Sequence, residues 1–201
     1  MVDRSTFQVA YSAEPPPWDI GRPQPVFVRV ADRIMGRLLD PGCGTGENAL
    51  FFAARGLEVT GFDFLAEPVE LAKQKARERG IGASFVVKDA LTLAEEAAQF
   101  DSVIDSGLFH VFSDDDRKRY VEGLVHVLEP GGRLFLLCFS DEQPGAQGPR
   151  RVASAELEVA FARGWVIESI EKATFEIRPE HRESRFSGFD PKAWFMVAER
   201  V

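Results

Sequence analysis

Cysteine is scarce in this 201-residue chain: Cys43 and Cys138 are the only two. They lie far apart and match no zinc or dithiol spacing, which excludes a disulfide scaffold, a zinc ribbon and a redox pair. Free thiols in a reducing compartment are expected, and no metal site. Long apolar runs are missing, so no membrane span is expected. The N-terminus lacks the basic-then-apolar pattern of a secretory leader, and a cytoplasmic location is the expectation. Basic excess is missing as well: 24 Lys and Arg stand against 32 Asp and Glu, a formal charge of −8. Nucleic-acid phosphates need a basic surface, so nucleic-acid binding is not expected. An acidic chain mildly attracts a cationic ligand instead. Internal repeats and low-complexity tails are absent too.

What remains is the composition of an ordinary folded domain, 45% hydrophobic and 28% charged. The length suits one domain spanning residues 1–201. Residues 1–13 are polar and without a clear period. The stretch EPPPWDIGRPQP, residues 14–25, carries five prolines and forms neither helix nor central strand. Pro25 to Gly36 reads as a helix, with Pro25 in its first turn and Gly36 at its end. Short apolar strands then alternate with helices. Strands are expected at 37–40, 57–63, 83–89, 100–107 and 133–140, and helices at 46–56, 67–80, after Ser113, and at 154–163. Two further strands, 165–177 and 193–200, follow one another with no helix between them and are expected to pair antiparallel at the sheet edge. The pattern predicts an α/β fold with a doubly wound, mostly parallel seven-stranded sheet.

The most informative stretch is Leu38-Leu-Asp-Pro-Gly-Cys-Gly-Thr-Gly-Glu47, which joins the first strand to the next helix. Gly42, Gly44 and Gly46 allow a tight turn and a close ligand approach. Their G-x-G-x-G spacing brings the third glycine one residue earlier than in the dinucleotide fingerprint, so a pyrophosphate is not the expected guest. Asp63 ends the second strand, where a carboxylate can accept from both hydroxyls of a ribose. Asp89 ends the third, where it can accept from an exocyclic amine. Carboxyl ends of adjacent parallel strands are where open α/β sheets bind ligands. Singly, the glycines read equally as a plain turn, Asp63 as a helix cap and Asp89 as a solvated strand end.

In order, LLDPGCGTGENA, EVTGFD, VVKDA, FDSVIDSG and LEPGGRLFLL resemble the motifs of class I S-adenosylmethionine-dependent methyltransferases, across roughly residues 35–140. The resemblance implies a Rossmann-like methyltransferase fold with an antiparallel last strand, and S-adenosyl-L-methionine as cofactor. It implies that the glycine loop, with Asp40 before it, cradles the methionine part. Asp63 and Phe64 then hold the ribose, Asp89 and Ala90 the adenine, and Asp105 and Ser106 flank the methionyl end. The segment PWDIGRPQP, with Tyr11 ahead of it, is similar to the thiol, halide and thiopurine methyltransferase subgroup and to small bacterial heterocycle methyltransferases. There residues 1–25 become a lid, with Tyr11, Trp18 and Gly21 over the cofactor. Aromatic faces attract a sulfonium cation, and the prolines lower the entropy of closing. A polyproline linker is the alternative reading.

The acceptor belongs beyond the carboxyl ends of the fourth to sixth strands. Gly107 to Phe112, Phe139 to Arg151, and the segment with His181, Arg182, Arg185 and Phe186 all reach that end. Phe109 and Phe139 are candidates for an apolar wall and Arg182 for an anionic group, with Arg150, Arg151 and Arg185 as further cations. His110 is the best candidate base, and equally a packing histidine. A small-molecule acceptor is expected, a thiol or thiopurine-like sulfur first, with N- or O-methylation of an aromatic heterocycle or phenol as the alternative. A nicotinamide oxidoreductase and a non-catalytic cofactor-binding protein are the rivals. The assembly is expected to be a monomer or homodimer.

Overall fold

The computed structural model of the chain describes residues 4–13, 15–186 and 188–201, and leaves the side chains of residues 4, 5, 12, 13 and 185 undescribed. Parts of the expected lid (residues 1–3 and 14) and the Arg185 side chain therefore lie outside the described residues. In chain order the elements are α1 (Arg4–Ala13), α2 (Pro25–Arg29), β1 (Arg37–Pro41), α3 (Glu47–Ala54), β2 (Glu58–Asp63) and α4 (Ala66–Arg79). They continue as β3 (Ser84–Val87), β4 (Phe100–Ser106), α5 (Asp114–Val127), β5 (Leu128–Phe139), α6 (Ser154–Ala160), β6 (Trp165–Thr174), α7 (Pro179–Phe186) and β7 (Lys192–Arg200). Short 3₁₀ turns lie at Ala31–Arg33, Ala90–Glu95 and Phe109–Val111.

The seven strands form one sheet in the order β3-β2-β1-β4-β5-β7-β6. β1 to β5 pair in parallel, and β7 runs antiparallel to both β5 and β6. The chain winds outward from β1 through β3, then returns to β4 on the other side of β1. Such a reversal splays the following loops apart and opens a crevice at the carboxyl ends of the two central strands.

Side chains alternate between the two faces of each strand. Leu38, Ile104, Phe135 and Phe195 enter one apolar cluster with Phe27 from α2 and Leu50 from α3. Their neighbours Leu39, Val103, Leu134 and Trp194 enter the other, with Tyr120 and Leu124 from α5 and Leu157 from α6. A sheet covered on both faces needs apolar residues at successive positions, which is why Leu38-Leu39 in β1 and Leu134 to Phe139 in β5 are consecutive apolar residues. At the start of α5 the Ser113 side chain accepts from the Asp116 amide, with three aspartates in the first turn, an arrangement favoured by the helix dipole.

Three local expectations are corrected. The helix expected over Pro25 to Gly36 splits, because Val30 at φ −105°, ψ 14° leaves helical geometry between α2 and the next turn; three valines at alternate positions are poor helix formers. A helix, α1, stands where no pattern was legible. A second, α7, separates β6 from β7, its first residue Pro179 lacking the amide that a helix start leaves unbonded.

Candidate active site

The turn after β1 wraps over the end of β2. The amides of Gly42 and Cys43 both donate to the Phe62 carbonyl, at 2.7 and 2.8 Å, and the Gly44 amide donates to Asp63 Oδ2 at 3.0 Å. At Gly46, φ is +84° and an added Cβ would stand 2.9 Å from both Ala72 and Phe85. Glycine is thus required there for the turn and for helix packing. Asp63 also accepts from the Leu65 amide at 3.0 Å. Its carboxyl is raised above the usual range by burial, against the pull of these amide donors. Asp89 accepts from Leu91 N at 3.0 Å and so caps the turn after β3.

A cavity of about 740 Å³ opens over these strand ends. Gly42, Gly44, Gly46, Asp63 and Phe64 line one end, with Asp89, Ala90 and Ser106 beside them. Phe7, Tyr11, Trp18 and Asp19 roof that end. His110, Phe112, Phe139, Phe175, Ile177 and Phe186 line the other. The roof is an aromatic cluster. Phe7 meets Trp18 and Phe64 edge-on, each at 5.9 Å, and Trp18 Nε1 donates to Tyr11 Oη at 3.1 Å. An added Cβ on Gly44 would stand 2.8 Å from that hydroxyl, so the roof rests directly on the glycine loop. Burial, with Asp63 nearby, pushes the Tyr11 phenol up, which keeps it neutral.

Polar bonds fix the proline segment at both sides of the cavity. Thr45 donates to Asp19 Oδ2 at 2.7 Å, and Lys75 bonds Thr45 at 2.7 Å and Glu47 at 2.8 Å. On the other side the Gln24 side chain exchanges two bonds with the Glu176 backbone, at 2.8 and 2.9 Å, and Arg178 N donates to the Pro17 carbonyl at 2.9 Å. The segment therefore bridges the glycine loop and the chain that follows β6.

Beneath the loop, Asp40 is buried, with the Ala49 backbone as its nearest hydrogen-bond donor. Burial, reinforced by Asp105 and Asp63, raises its carboxyl well above the usual range. Charged side chains on the lining are Asp19, Glu47, Asp63, Asp89 and Asp116 against Arg22 and Lys88. The acidic wall suits a ligand that brings positive charge.

Several expected site residues lie away from the lining. Asp105 is fully buried, accepting from the amides of Leu108 and Phe109 and from Tyr120 Oη at 3.0 Å; burial pushes its carboxyl up to about 6. Gly21 sits in the proline segment, with open space where a side chain would stand. Phe109 points into the core, its ring 5.8 Å from Phe161 and 4.7 Å from the Arg117 guanidinium, while the tight turn sends the next residue, His110, to the cavity. Arg182 is held by Asp190 at 2.9 Å and by Glu176 at 3.5 Å. Arg150 pairs with Asp114 and Glu156, and Arg151 caps the carbonyls of Gln143, Pro149, Gly145 and Gln147. These arginines serve the loops. Among lining residues, Phe175 and Ile177 were not read from the sequence; their alternation around Glu176 was the available signal.

His110 is buried, and its Nδ1 accepts from the Phe139 amide at 3.0 Å. The ring packs on Phe139 at 5.0 Å and Phe175 at 6.1 Å. Burial, with Arg117 and Arg151 nearby, lowers its pKa to about 3.

Comparison with known proteins agrees with this geometry. A methyltransferase domain model matches residues 38–132. The chain is 33% identical over 163 residues to a 2-heptyl-1-hydroxyquinolin-4(1H)-one methyltransferase of Mycobacteroides abscessus, covering 79% of this chain and 72% of that protein. It is 30% identical over 157 residues to a probable thiol methyltransferase of Arabidopsis thaliana, covering 76% and 69%. A structure solved for the conversion of a disulfide bond into a thioacetal group during echinomycin biosynthesis superposes with a TM-score of 0.84 at 35% identity, covering 98% of this chain and 92% of that one.

Proposed function

The chain belongs to the class I S-adenosylmethionine-dependent methyltransferases, and we propose that it methylates a small apolar acceptor, a thiol or thiopurine-like sulfur before other heteroatoms. The observation that carries this reading is one continuous cavity with two unlike ends. The glycine loop, Asp63 and Asp89 form a polar end, and Phe139, Phe175 and Phe186 an apolar one. When bound, the cofactor supplies an electrophilic methyl group on a sulfonium. Asp63 would accept from the ribose hydroxyls, Asp89 would face the adenine, and Asp40 would lie toward the positive charge beneath the loop. The aromatic end strips water from the acceptor and aligns it, which is most of what an in-line displacement needs. Sulfur is favoured because a soft thiolate needs little base assistance, and relatives include a thiol methyltransferase. The alternative, O- or N-methylation of a flat heterocycle, is favoured by the aromatic walls and by the quinolone-modifying relative.

Titration with S-adenosylhomocysteine by calorimetry is expected to give saturable heat, and titration with NADH none. Silence with the former would sink the reading. A panel of thiols, hydroxyquinolones and phenols, with products identified by mass spectrometry, then selects the acceptor.

In this reading the chain is one methyltransferase domain, and residues 1–25 are its lid. Trp18 and Tyr11 face the sulfonium, a contact of about 0.5–2 kcal/mol depending on desolvation. Trp18→Ala is expected to weaken S-adenosylmethionine several-fold more than S-adenosylhomocysteine, which lacks the sulfonium charge. Unchanged affinity for both, with wild-type turnover, would refute the lid.

A further inference from the structure

The Phe139 amide decides which nitrogen of His110 carries the proton. A backbone N–H can only donate, so Nδ1, 3.0 Å away, must accept. The single proton of the neutral ring then sits on Nε2. Nothing among the described residues accepts from Nε2, although His110 is 95% buried (5% exposed) and lines the cavity at its apolar end. Nε2 is open to the cavity, so its N–H is free to donate to a ligand that brings an acceptor there. We propose that His110 is a hydrogen-bond donor to the acceptor's heteroatom and not its base, so that the enzyme selects apolar acceptors that ionise on their own. The proposal deepens the methyltransferase reading and rests on it.

The surroundings agree. The charged groups acting on the ring are the guanidiniums of Arg117, from α5, and Arg151, from the loop after β5, and both disfavour an imidazolium. From β5 and the residue after β6 it meets the rings of Phe139 and Phe175. Asp116 is the other titratable group toward this end, and its carboxylate is engaged by the Ser113 hydroxyl at 2.6 Å. Among the described residues, no carboxylate without such an engagement lines that end. A thiol, an N-hydroxy heterocycle or an acidic phenol fits; an aliphatic alcohol does not. The acceptor's proton leaves to water before entry. Its lone pair forms the new bond to the methyl carbon as the carbon–sulfonium bond breaks, with that electron pair staying on sulfur. The Nε2 proton stays on His110 throughout.

The first test is NMR of the imidazole nitrogens, with the three histidines assigned by substitution. His110 is expected as the Nε2–H form, without titration between about pH 5 and 9. A midpoint near that of an ordinary histidine, or an Nδ1–H form, would overturn the proposal. The second is turnover of thiols, phenols and N-hydroxy heterocycles of graded acidity. The acid limb of kcat/KM is expected to move with each acceptor's own ionisation. His110→Phe is expected to lower kcat/KM about 10- to 100-fold without moving that limb, and His110→Gln, which can still donate, to recover part of it. A limb fixed at one pH for all acceptors and lost in His110→Phe would overturn it, as would no turnover of any acidic acceptor by protein that binds S-adenosylhomocysteine. Failure to bind S-adenosylhomocysteine would instead remove the methyltransferase reading.

Discussion

Asp63→Ala is expected to raise the dissociation constant for S-adenosylhomocysteine by about 100-fold or more. Each hydrogen bond to a charged acceptor contributes about 1.5–3 kcal/mol, and about 1.4 kcal/mol is a factor of ten in affinity. A ribose offers two hydroxyls to one carboxylate. The side chain is nearly buried yet lines the cavity, so few waters remain to replace it. It also organises the protein side of the site, since Gly44 N and Leu65 N both donate to it. Removing it loosens the glycine loop as well as the ribose contact. Asp63→Asn separates the two effects: one amide oxygen can still hold the Gly44 N–H, while acceptance from both hydroxyls is lost. Calorimetry on both variants, with a melting curve to establish folding, is the measurement. Wild-type affinity in a folded Asp63→Ala protein would refute the ribose role.

The sheet was legible because its signals are local and repeated. Leu38-Leu39, Val103-Ile104 and Leu134-Phe135 send neighbours to opposite faces, and glycines or acids stand at the ends of β1, β2 and β4. The cavity's polar end was legible for the same reason: Gly42, Gly44, Asp63 and Asp89 fall at successive strand ends, and sheet order carries them to one place. The apolar end was less so. Phe109 and His110 are adjacent, and only the 3₁₀ turn decides that the first enters the core and the second the cavity. Arg182 looked available because its partners, Asp190 and Glu176, come from either side of α7. The α1 helix is anchored by Phe7 and Tyr11, four residues apart, on Trp18 and Phe64. That packing is tertiary, and two aromatics in a polar stretch do not announce it.

Two buried groups are expected to pull stability in opposite directions as pH falls from 7.5 to 5, and substituting either one unmasks the other. Asp105 has its carboxyl raised to about 6 by burial, against about 3.9 unfolded. The folded state therefore binds its proton first, and the penalty of burying the charge fades as pH falls through 6. Between pH 7.5 and 5 this restores on the order of 1 kcal/mol. Asp40, raised in the same direction by burial, adds to it. His110 works the other way. Its folded pKa is lowered to about 3, against about 6.5 unfolded, so below pH 6.5 only the unfolded chain gains a proton. That removes about 2 kcal/mol by pH 5. The pH dependence of the wild-type protein over this range is thus the balance of opposing contributions. His110→Gln is expected to gain stability toward pH 5 relative to wild type, and Asp105→Asn to lose it, whatever their absolute stabilities. Denaturant unfolding at pH 5 and 7.5 reads the difference. Parallel pH dependences in all three proteins would mean that neither group is held in the ionisation state its burial dictates. If only the His110→Gln difference were missing, the imidazole would titrate normally, and its assignment as a fixed donor would fall with it.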